Sequence, residues 1–71
     1  MQRYLIIIEP TLTGFSAWSP DLPGCIATGP STEQVEGNMR EAIAFHLEGL
    51  RADGQPVPPA HTIASYVEVA A

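Results

Sequence analysis

Eight carboxylates, two histidines and one cysteine are the groups in this 71-residue sequence best suited to acid–base, metal or nucleophilic chemistry. Metal-dependent hydrolysis of a phosphodiester needs several carboxylates converging on a divalent ion. The candidates are Glu9, Glu36, Glu41 and Glu68. They form a poor set: Glu41 falls on the polar side of a helical pattern, Glu36 at the edge of the apolar side, and Glu68 alone among apolar residues. They read as solvated surface carboxylates. Cys25 reads as a small buried hydrophobe, because a cysteine nucleophile needs a paired base and the local sequence offers none. His46 lies near the middle of an apolar helix face with no Asp or Cys at helical spacing to orient it, which suits a core or interface histidine. With His61 as the other imidazole, no spacing matches a structural zinc site. The expectation is a protein without enzymatic activity, metal or cofactor.

Recognition chemistry is better represented. Phe15 and Trp18 are large enough to anchor an interface, and strand alternation puts them on opposite faces, so one belongs to the core and the other is a candidate contact. Asp21 lies in Pro20-Asp21-Leu22-Pro23-Gly24, where its carboxylate can accept backbone N–H bonds and fix the bend. That loop, carried on a sheet, could also present Asp21 and Leu22 to a partner. Glu9 and Glu68 are the acidic candidates for the same surface.

The formal charge is −5, with three arginines and no lysine. This opposes nucleic-acid binding, which draws its affinity from Lys and Arg displacing counterions, and suits a basic partner. A chain this short buries only roughly 60% of the surface its unfolded form exposes. One cysteine allows no internal disulfide, so association with another chain is the remaining means of support. The apolar run Tyr4 to Ile8 ends at Glu9-Pro10 and is too short for a signal-peptide core or a spanning helix. A cytoplasmic protein with no membrane contact is expected.

The elements that must position these groups follow from the pattern. Tyr4 to Ile8 reads as a strand covered on both faces. Phe15 to Ser19 is a second strand and Cys25 to Thr28 a short third, separated by turn segments that include Gly24. Ser31 as N-cap and Gln34 as its capping-box partner start a helix that ends at Asp53-Gly54. Its inner face comprises Val35, Met39, Ala42, Ile43, His46 and Leu50, with Phe45 and Leu47 at the margins. After the proline-rich connector, Ile63 to Val69 forms a last strand. The order β-β-β-α-β gives an α+β fold, one domain over 1–71, with a four-stranded mixed sheet and a crossover helix on one face.

The Tyr4-to-Glu9 strand, Gly14-Phe15-Ser16-Ala17, Pro20-Asp21-Leu22-Pro23-Gly24-Cys25, and Gly29 before a helix containing Asn38 and Glu41-Ala42-Ile43 together resemble the HicB-like antitoxin family over nearly the whole chain. The Gly54-to-Pro58 connector fits the same pattern. The resemblance implies a partial ribonuclease-H-like fold, self-association, and binding that occludes a HicA-type toxin, a small ribonuclease. Many members of that family carry a C-terminal helix-turn-helix or ribbon-helix-helix domain. This chain reaches Ala71 directly after the last strand, so no DNA-binding role is expected.

The leading expectation is an antitoxin-like module that covers a basic toxin with its sheet edge, outward face and acidic side chains. The alternative is a stand-alone homo-oligomer with a structural or regulatory role, a dimer in the first instance and a tetramer otherwise. A third reading, a metal-dependent nuclease, rests on the poorly arranged carboxylates above.

Overall fold

Gly29 is a close approach of strand and helix. A Cβ placed on it would lie 2.8 Å from the Val35 nitrogen and 3.0 Å from the Val35 Cα, both backbone atoms. The computed structural model describes residues 2–71. In it β1 (Ile7–Pro10), β2 (Phe15–Trp18) and β3 (Ile26–Gly29) form an antiparallel sheet in the order β1-β2-β3, followed by α1 (Thr32–Ala52). The fold is α+β.

The helix begins and ends as its sequence dictates. Ser31 adopts an extended backbone and its hydroxyl accepts the Gln34 N–H at 3.1 Å, satisfying one of the orphan donors of the first turn. At the other end Gly54, at φ +68°, takes the left-handed conformation. Its N–H donates to Arg51 O and that of Gln55 to Leu50 O, the paired bonds of a Schellman close.

The register Ile8↔Ala17↔Ala27 puts these three side chains on the helix side, with Phe15 beside them, while Ile7↔Trp18↔Ile26 lie on the outer side. Ala17, Leu22, Cys25, Val35, Met39 and Leu47 make up the buried core. The helix lies over β3 and β2. Tyr4, Ile6 and Ile8 pack at the core's margin and remain half-buried, so the first run is not covered on both faces.

Two expectations are corrected. Leu47 is buried and Phe45 is 79% exposed, although helical periodicity placed both at the margins. The connector turns back after Gly54 and its Val57 packs against the core, of which Leu47 is part and Phe45 is not. More consequentially, Ile63 to Val69 is not a fourth strand: no residue from 55 to 71 is in regular structure, and the observed sheet is three-stranded and purely antiparallel. A strand exists only through its neighbour's hydrogen bonds, and Pro56, Pro58 and Pro59 carry this segment off the sheet, so its β-propensity finds no ladder. The radius of gyration, 13.8 Å against about 11 Å for a compact chain of this length, records the projecting arm.

The Gly29 contact makes a paired prediction. Gly29→Ala must push β3 and the first helical turn apart and should destabilise the fold by about 1–3 kcal/mol. Gly37→Ala places its methyl in open space within the helix and should stabilise by about 0.5–1 kcal/mol. Urea unfolding of the two variants beside the parent separates a specific close approach from a general intolerance of added bulk.

Candidate functional site

The outward face of the sheet has no layer over it among the described residues. Trp18 is 42% and Ile26 63% exposed on this face, with Ile7 between Trp18 and the sheet edge. Trp18 Nε1 donates to Glu9 Oε1 at 2.9 Å, which fixes the indole against β1 and sets a carboxylate beside it. Alternation along β1 makes this possible, since Ile7 and Glu9 share the outer side and Glu9 is paired with Ser16, two residues before Trp18. The result is an aromatic anchor with an apolar surround and an acidic rim, a combination suited to recognition rather than to bond-breaking. At the far end of the β1–β2 hairpin, Leu12 is fully exposed at the tip of the turn closed by Thr11 N–H to Gly14 O.

The other residues expected at a partner surface are distributed differently. Phe15 faces the helix and packs on the core, which answers which of the two aromatics looks outward. Leu22 is fully buried. Glu68 is exposed on the C-terminal arm. Gly24, at φ +81°, completes the turn in which Leu22 N–H bonds Ser19 O and Cys25 N–H bonds Leu22 O, a backbone conformation that favours glycine.

Asp21 is buried, and its carboxylate does not brace its own bend. Oδ2 accepts the backbone N–H groups of His61 and Thr62, each at 3.1 Å, while Oδ1 accepts the Thr62 hydroxyl at 2.5 Å and lies 2.9 Å from His61 Nδ1. Four contacts from residues some 40 positions away hold the start of the arm. The Thr62 hydroxyl bond is the main influence lowering the Asp21 pKa below its ordinary value of 3.8, opposed by burial and helped by the two backbone bonds and the His61 ring. A second tie, Tyr4 O–H to Pro58 O, fastens the connector beside the first run.

Asp21, His61 and Thr62 are the groups with acid–base or nucleophilic chemistry that come into direct contact. Among the described residues, no cluster of three or more His, Cys, Asp or Glu side chains is placed to hold a metal ion. Cys25 and His46 line one groove with Ile26, Phe45 and Leu50. No hydrogen bond joins the two, and burial pushes the Cys25 thiol pKa up, which disfavours the thiolate. Asn38 serves the fold, its side-chain N–H bonding Thr28 O at 2.8 Å and tying helix to β3. The pairing of Asp21 with Thr62 had no signal in the local sequence: it depends on where the connector returns.

A family model described as HicB-like antitoxin of bacterial toxin-antitoxin system matches residues 4–70. An uncharacterized protein from the rep-hol intergenic region of Haemophilus phage HP1 is 36% identical over 64 residues, covering 90% of this chain and 48% of that one. A UPF0150 protein of Synechocystis is 39% identical over 57 residues, covering 79% and 72% respectively. Among solved structures, a chain of a HicA3 and HicB3 toxin-antitoxin complex superposes with a TM-score of 0.69 at 38% identity, over 78% of this chain and 64% of that one. The chain thus spans about half the length of the phage relative and under two thirds of the matched structure's chain.

The Asp21 latch predicts a pH dependence whose sign follows from the lowered pKa. A released arm leaves Asp21 at its ordinary value, so the latch is at full strength above about pH 4 and weakens as pH falls towards the lower latched value. The Thr62 amide resonance should begin to move towards its unstructured position as pH falls below about 4 and continue as pH passes the lower latched value, and Asp21→Asn should show the unstructured position already at pH 7. A Thr62 amide unaffected in Asp21→Asn would mean that the carboxylate does not hold the arm.

Proposed function

The chain belongs to the HicB-like antitoxin family of bacterial toxin–antitoxin systems, and from that premise we propose that it binds a HicA-type toxin in the cytoplasm and masks it by occlusion, without chemistry of its own. The observation that carries this reading is the uncovered outer sheet face, where Trp18 stands beside Glu9. A net charge of −5 supports a basic partner, because opposite charge speeds encounter and disfavours wrong partners. The likeness to a chain of a toxin–antitoxin complex supports the same class of partner. Occlusion needs only a stable interface, and an indole in an apolar surround is a common centre for one.

Within this proposal Trp18, Glu9 and Ile26 form the contact surface, with Leu12 at its margin. Glu68 on the arm is a further acidic contact. Asp21 and Leu22 act indirectly, by holding the arm and the loop in place. The partial ribonuclease-H-like description of the fold belongs to this reading as well.

The test is capture of a small basic protein by tagged antitoxin expressed in its own host, followed by affinity measurement on the reconstituted pair. Trp18→Ala should weaken binding by about 2 kcal/mol, roughly thirtyfold. Glu9→Gln should act chiefly on the association rate and reduce its dependence on salt. Full affinity in Trp18→Ala would remove the outer face from the interface.

A further inference from the structure

Glycine inside a helix weakens it relative to alanine, because more backbone freedom is lost on folding. The helix α1 contains two, Gly37 and Gly49. At neither would an added Cβ meet an atom within 4 Å, so packing within the chain requires glycine at neither position. Gly49 differs in its surroundings. It borders an apolar groove between the second half of α1 and the start of β3, lined also by Gly24, Ile26, Ala42, Phe45 and His46. Phe45 is 79% exposed there and Ile26 63%.

Charge separates this groove from its counterpart on the other flank of the helix. The groove beside β1 is lined by Tyr4, Ile6, Ile8 and Met39 together with Arg3 and Arg40, two of the three arginines of the chain. No arginine lines the groove at β3 among the described residues. Glu41 and Glu48, both exposed, stand four residues before and three after Phe45, which puts them on the same stripe of the helix as the ring. The groove is thus apolar with carboxylates on its rim, complementary to a partner that is apolar on one side and basic beside it. It is also continuous with the outer sheet face, since Ile26 both pairs with Trp18 in the register and lines the groove.

We infer that this groove takes an amphipathic helix of the basic partner, which lies along α1 with its apolar side on Phe45 and Ile26 and its cationic side towards Glu41 and Glu48. Ala42 and Gly49 stand seven residues apart on the groove side of α1, and side chains this small let a second helix axis come close. A strand is a poorer occupant, because Asn38 already engages the Thr28 carbonyl of the edge strand β3. The inference rests on the toxin-binding reading and adds to it where the contact continues beyond the Trp18 face and which kind of element it receives.

The experiment titrates the small basic protein captured with the tagged chain, once purified, into the full chain and its Gly49→Ala, Gly37→Ala, Phe45→Ala and Trp18→Ala variants. Gly49→Ala and Gly37→Ala should both raise the urea midpoint, as each gains helix propensity in open space. Only Gly49→Ala of these two should weaken binding, by about tenfold, and Phe45→Ala should weaken it by roughly thirtyfold. Higher stability with lower affinity is an outcome that a merely structural glycine does not give. In the parent, the Gly49 and Ile26 amide resonances should shift when the partner is added and stay fixed when the chain alone is diluted. Full affinity in Gly49→Ala overturns the inference, and if Trp18→Ala still binds weakly, the toxin reading stands on the sheet face alone. A Gly49 resonance that moves on dilution of the chain alone assigns the groove to a second copy and overturns it too. Failure of the chain to retain any basic protein overturns both readings.

Discussion

The packing of one helix across two of three strands is the constraint from which the rest of this molecule follows. It is set at Gly29, where the absence of a side chain lets the first turn of α1 rest on β3, and continued by Val35 and Met39, both fully buried. Ala17, in the central strand, is small enough to let the helix approach the sheet there. Because the helix is committed to β3 and β2, it cannot also cover β1. The open groove, the half-buried Tyr4-to-Ile8 run and the bare outer face are consequences of that single placement.

A fold with so thin a core holds its extremities by polar means. Asp21 performs as a buried acceptor for a segment distant in sequence, with donors from two backbone amides and a hydroxyl. Several bonds to one carboxylate satisfy its lone pairs, which is what makes a buried carboxylate tolerable. The same contacts set the point from which the arm departs. The latch thus links the Pro20-to-Gly24 turn to the segment least integrated with the rest of the chain.

Membership of an antitoxin family fits a structure whose outer sheet face is uncovered among the described residues, with Trp18 and Ile26 exposed beside the Glu9 carboxylate. Masking another protein needs area, an anchor and complementary charge, and these are the properties that remain once the core has been filled. The outer face with Trp18 and the edge beside β1 lie on different sides of the sheet.

Much of this was legible in the amino-acid order because it is local. Ser31 and Gly54 bracket the helix through backbone groups within a few residues of each, and strand alternation is enough to place Phe15 and Trp18 on opposite faces. The acidic charge and the single cysteine narrowed the chemistry for the same reason, since they are properties of composition. What the order of residues could not decide was partnership at a distance. Ile63 to Val69 has the composition of a strand, yet a strand is defined by its neighbour, and the path taken by the proline-rich connector leaves it with none in this chain. Asp21 in a turn suggested a local brace, and only the return of the connector brings Thr62 and His61 to it. Leu47 and Phe45 looked equivalent at the helix margins, and only the tertiary packing put one in the core and left the other bare. In each case local geometry was encoded by neighbours in sequence, whereas burial and pairing were decided by which distant segment arrived.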